Sequence, residues 1–83
     1  MGTDHIRLNI SSPEMQPYSL ETESVTLPGE NGRFTVLPGH APLISTLTEG
    51  DILYTAAGKE SALHIKSGFA EVGGNMVCVS AEL

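Results

Sequence analysis

Only one cysteine, four cations and no long apolar run occur among the 83 residues of this chain, and each scarcity removes a class of function. With Cys78 alone, no intrachain disulfide can form, and a lone thiol within Met76-Val77-Cys78-Val79 is expected to sit reduced in the core. The cations Arg7, Arg33, Lys59 and Lys66 are scattered against 10 acidic residues. Nucleic acid and anionic lipid both require clustered Lys and Arg, so neither is an expected partner. No window nears the ~20 apolar residues that span a bilayer, and no basic segment followed by an apolar run opens the chain. A soluble domain without membrane insertion, in a reducing compartment, is the expectation. The length suits one small domain, 1–83 with its core at about 5–82, whose modest core gains from a partner surface.

What the chain has in quantity is punctuation. Gly, Pro and Asn break it too often for ordinary helices, and strands fill the intervals. Ile6, Leu8 and Ile10 alternate with Arg7 and Asn9, the two-residue period of a half-buried strand. Tyr18, Leu20 and Thr22, then Val25 and Leu27, predict one longer second strand whose apolar face switches through a β-bulge between Thr22 and Val25. Asn31-Gly32 predicts a hairpin turn. Further turns at Glu49-Gly50, Ala57-Gly58 and Gly73-Gly74-Asn75 separate short apolar segments, the last from Met76 to Ser80. Turns every eight to twelve residues or so predict an all-β fold, a flattened β-sandwich or barrel of about 8–10 short strands.

Catalytic chemistry finds no constellation. His5, His40 and His64 lack partners nearby in sequence, and a zinc site would need all three to converge. Ser67 has no Gly-x-Ser-x-Gly frame, and the glycines at 73 and 74 lack the rest of a phosphate loop. No catalytic residue, metal or cofactor is therefore expected. The informative stretch is Leu37-Pro38-Gly39-His40-Ala41-Pro42-Leu43. Its prolines fix the backbone, and a rigid loop loses little entropy when a partner docks on it. The same stretch would serve equally as a tight corner between sheets.

Leu27-Pro28-Gly29 with Gly32, then Pro38-Gly39-His40-Ala41-Pro42-Leu43, then Leu47 and Gly50, resemble the signature of the epsilon subunit of the rotary, proton-translocating ATP synthase. Gly68-Phe69-Ala70-Glu71-Val72 with Asn75, Val77 and Val79 resembles a second block of that family, in its order and spacing. The likeness runs from about Ile6 to Glu82. It implies a sandwich of about ten strands in the central stalk, a non-catalytic rotor part that binds the gamma subunit and the ring of c subunits, and through gamma serves the catalytic alpha/beta head. Carried over residue by residue, it implies that Ser12, His40, Ala41, Pro42, Leu43, Ser45 and Glu71 face gamma. Glu30, Asn31, Gly32 and Arg33 match the turn that touches the c-ring. Arg33 stands where members often carry Glu, which alters the charge offered to the ring. Lys66-Ser67-Gly68-Phe69 replaces the usual Ser-Gly-Gly-Phe. Many members continue past the position of Ala81-Glu82 into a helical hairpin that binds ATP and inhibits rotation. This chain ends at Leu83, so no C-terminal helical hairpin is expected in it. The implied location is the cytoplasmic face of the bacterial inner membrane, as a peripheral subunit. A stand-alone β-sandwich binding module using the proline loop is the alternative.

Overall fold

A computed structural model of the chain describes residues 5–83, and all regular structure among them is strand. The elements are β1 (Ile6–Ser12), β2 (Met15–Thr22), β3 (Ser24–Gly29), β4 (Gly32–Val36), β5 (Leu43–Leu47), β6 (Gly50–Ala56), β7 (Lys59–Ile65), β8 (Ser67–Gly73) and β9 (Met76–Glu82). β2, β1, β9, β8 and β5 lie side by side, and β4, β3, β6 and β7 form the remaining order. The two halves join at one corner, where Gly29 of β3 pairs with Leu47 of β5. The sheet curls there, so its halves face each other across the core. Extents of 37 × 25 × 18 Å make the sandwich flat.

Alternation decides what enters the core. Ile6, Leu8 and Ile10 from β1, Val77, Val79 and Ala81 from β9, and Ala70 and Val72 from β8 are buried against Val25, Leu27, Val36, Ile52 and Ile65 of the other half. Thr22, the one buried polar side chain among the described residues, donates its hydroxyl to the Ile6 carbonyl at 2.9 Å. That bond removes the penalty an unpaired hydroxyl would carry. The aromatic Tyr18 of β2 reaches Tyr54 of β6 along the open side. Burial, then the hydrogen bond with Tyr54, pushes the Tyr18 phenol up to about 12.

The predicted long second strand is two strands. β2 stops at Thr22, paired with Ile6, and β3 starts at Ser24, paired with Thr55 of β6. At the intervening Glu23 the chain crosses between halves, its N–H donating to the Thr55 carbonyl at 2.7 Å. The switch of apolar face at this point is real, but its cause is a corner rather than a bulge. Opposed sheets look inward from opposite sides, so a strand passing between them must shift its pattern by one residue.

Turn chemistry is likewise shifted by one position at the β3–β4 hairpin, where Gly29 pairs with Gly32 and the loop is Glu30-Asn31. Neither loop residue has positive φ, so this is no type I′ turn on Asn31-Gly32. Two other hairpins do have that character: Ala57-Gly58 at φ of 53° and 78°, and Gly74-Asn75 with both at 59°. Ala57 holds a left-handed conformation that costs an alanine about 1 kcal/mol and that asparagine tolerates better. Ala57→Asn is expected to raise stability by about 0.5–1 kcal/mol, read as a higher urea midpoint at unchanged slope. A lower midpoint would show that the turn is not strained.

Candidate functional site

Strand parity splits the molecule's surface in a way the motif alone does not reveal. β5 pairs with β8 so that Leu43 lies opposite Val72 and Ser45 opposite Ala70, whereas Ile44 lies opposite Glu71 and Thr46 opposite Phe69. Val72 and Ala70 are buried, so Leu43 and Ser45 belong to the inner face and are half-buried there. Ile44, Glu71 and Phe69 belong to the outer face. The outer row continues from Glu71 to Cys78 of β9 and Asn9 of β1. On this face Ile44 is 64% exposed, Phe69 47% and Met76 43%, three large apolar side chains on one side of a small protein. Shallow depressions link them. One is lined by Pro42, Ile44 and Glu71, the next by Pro42, Glu71, Met76 and Cys78, and a third runs past Thr46 and Phe69 to Ser12 and Pro13.

Cys78 thus corrects the expectation of a core thiol. With Val77 and Val79 inside, strand alternation forces it out, where Asn9 Nδ2 approaches its sulfur at 3.5 Å. Phe69 could have been found the same way, since Ala70 and Val72 point inward. Ile44 sits in the apolar run Leu43-Ile44, where hydrophobicity carries no parity.

The proline stretch borders this face. Leu37-Pro38-Gly39-His40 closes a turn, with the His40 N–H donating to the Leu37 carbonyl at 3.1 Å and Gly39 at a φ of 84°. Proline then glycine at the centre is the signature of a type II turn. His40 Nδ1 lies 2.7 Å from the Ala41 carbonyl, a contact that needs the proton on Nδ1. Ala41 and Pro42 are exposed. Of the residues expected to face gamma, the structure therefore gathers Ala41, Pro42 and Glu71 on or beside the outer face, with His40 in the adjoining turn. Ser12 lies at its far end, its hydroxyl donating to Glu14 at 2.7 Å. That bond, followed by one from the Leu83 N–H, holds the Glu14 carboxyl below its ordinary range. Leu43 and Ser45 point the other way.

Glu30, Asn31, Gly32 and Arg33 project together as an exposed hairpin end. Arg33 Nη2 donates to the Asp51 carbonyl at 3.3 Å. Beneath it, His64 of β7 sets Nδ1 2.8 Å from Asp51 Oδ1 and Nε2 3.4 Å from Glu49 Oε2. The two bonds form together only with the imidazolium, since each carboxylate needs an N–H to accept. The Asp51 contact first, then Glu49, raises the His64 pKa above its ordinary value. The staple is complete below about pH 6.5 and is lost as pH rises through the raised value. A His64 ring titration by NMR is expected to move down in Asp51→Asn; an unmoved midpoint would remove Asp51 as the cause. His5, His40 and His64 lie before β1, in the proline turn and on β7, and no three His, Cys, Asp or Glu side chains among the described residues are placed to hold a metal ion together.

The fold and this broad apolar face define a small all-β sandwich module whose distinguishing surface is a sheet face. Residues 5–83 match the family described as ATP synthase, Delta/Epsilon chain, beta-sandwich domain, and the chain belongs to that family. It is 44% identical over 75 residues to the ATP synthase epsilon chain of Desulfitobacterium hafniense, covering 90% of this chain and 57% of that one. It is 40% identical to the epsilon chain of Carboxydothermus hydrogenoformans over 94% of this chain and 58% of that one. The chain thus spans less than three fifths of these curated relatives. A chain in the cryo-EM structure of the Euglena gracilis mitochondrial ATP synthase shares the fold at a TM-score of 0.87 and 22% identity, over 95% of this chain and 51% of that chain. One in the central stalk and c-ring structure from Tetrahymena thermophila does so at 0.78 and 9%, over 94% and 63%.

Proposed function

We propose that this chain is the stalk-building part of an ATP synthase epsilon subunit, a rotor component without chemistry of its own that joins the gamma subunit to the c-ring and so couples proton flow to rotation. The observation that carries this reading is the outer face of β5, β8 and β9, where Ile44, Phe69 and Met76 stand exposed beside Pro42 and Glu71. Apolar side chains gathered on one face, rimmed by polar ones, are the composition of a protein interface. A standard interface takes about 800 Å² from each partner, roughly a sixth of the 4738 Å² total here, which one face of a flat sandwich can supply. Gamma docks on that face, and the Glu30–Arg33 hairpin end meets the ring. Family membership supports the assignment of partners. The location that goes with it is the cytoplasmic face of the inner membrane, as a peripheral subunit.

Cys78 makes the reading testable without mutation, because the only thiol of the chain lies between Glu71 and Asn9 on the proposed face. Maleimide labelling of the chain is expected to slow at least tenfold when the gamma subunit of the same synthase is present. Unchanged labelling at saturating gamma would sink the reading and favour a module that serves another protein.

A further inference from the structure

The proline stretch and the β8–β9 turn are far apart in sequence, yet one side chain ties them together. Asn75 Oδ1 accepts the Gly39 N–H at 2.8 Å, across 36 residues. The same residue occupies the left-handed position of the β8–β9 turn at a φ of 59°, and its carbonyl accepts the Arg7 N–H at 2.9 Å. We infer that Asn75 is a positioning residue for docking: its side chain holds the Pro38–Pro42 loop in register with the outer face, so that Pro42 and Glu71 present one continuous surface. This rests on the reading of that face as the site of gamma.

Three observations converge on it. Gly39 stands at the centre of a two-residue turn, at a φ of 84° with nothing within 4 Å of where a side chain would begin, so no packing holds the turn at this residue. Of the backbone N–H groups at the turn, that of Gly39 donates to Asn75 and that of His40 donates within the turn to Leu37. Further along, Pro42 lies beside Glu71 and Val72 of β8, an apolar contact that does not by itself fix the direction of the loop. The Asn75 bond is therefore the directional link between loop and sheet. A loop fixed before binding has less freedom to lose on binding, so the bond contributes affinity without touching the partner. Asparagine suits both duties, since it tolerates the left-handed turn position and carries an acceptor.

Glycine at this position keeps the turn and removes the acceptor, while aspartate keeps both. In Asn75→Gly the Gly39 amide is expected to exchange with solvent at least tenfold faster, with the Met76 and Val77 amides unchanged. Affinity for gamma should then fall about tenfold. Asn75→Asp should retain both the protection and the affinity. An equally protected Gly39 amide in Asn75→Gly would overturn the clamp, and a faster amide with full affinity would overturn its role in docking. If the unaltered chain fails to bind gamma, the functional reading falls and with it the docking role, while Gly39 exchange still decides the clamp. Should Asn75→Gly not fold, Asn75→Ser replaces it: its shorter side chain should likewise lose Gly39 protection, and retained protection there would overturn the clamp.

Discussion

Gly29→Ala is expected to cost about 2–4 kcal/mol of stability, most of what a domain this small has to spare. Gly29 lies where the two halves of the sandwich meet, paired with Gly32 on one edge and Leu47 on the other. A side chain added there would begin 2.7 Å from the Gly32 carbonyl oxygen and 2.9 Å from the Phe34 ring. The ring can rotate, but the carbonyl belongs to the paired strand, so the hairpin must part or shift. Parting it loosens the corner through which β3 and β5 are hydrogen-bonded in register. Gly73→Ala supplies the control, because its added carbon meets only Pro42 at 3.8 Å, an ordinary contact. Urea denaturation is expected to show a large fall in midpoint for the first variant and little change for the second. Equal midpoints would show that the corner yields and that the close approach does not matter.

Two neighbouring residues should fail in opposite ways when given a charge. Ile44→Asp is expected to leave the fold intact and weaken gamma binding by 30-fold or more, about 2 kcal/mol, since it puts a carboxylate at the most exposed apolar side chain of the outer face. Leu43→Asp is expected to destabilise the domain instead. Leu43 packs against the buried core from the inner face, opposite Val72. A carboxylate there is half-buried without a partner, at a cost of about 1–3 kcal/mol. Thermal unfolding and gamma binding measured on both variants separate the two effects. If Ile44→Asp binds as well as the unaltered chain, the outer face is not the docking surface. If Leu43→Asp keeps its stability and loses binding, the inner-face assignment of Leu43 is wrong.

That contrast also locates the limit of the sequence. The motif names Pro42, Leu43 and Ser45 together, and nothing in a run of adjacent apolar and small residues says which way each side chain points. Pairing with β8 settles it, because Ala70 and Val72 are inside. Cys78 is the reverse case. Its flanking valines already carry the parity that places it outside, yet the burial typical of free cysteine led the other way. A residue's average environment is a weaker guide than the period of the strand that holds it.

Local pattern was enough for the all-strand composition, for most of the turns and for the resemblance that family membership later matched, because period-two alternation and Gly, Pro and Asn at turns are local properties of the chain. It was also enough to show that Pro38 and Pro42 restrict the backbone of the proline stretch. Tertiary structure alone decided that β1 lies parallel to β9, with Asn9 beside Cys78, 69 residues apart. It alone decided that Asn75 meets Gly39 and that the chain turns a corner at Glu23. Each of these depends on which distant strands share an edge, and backbone hydrogen bonds carry no side-chain label that the sequence could display.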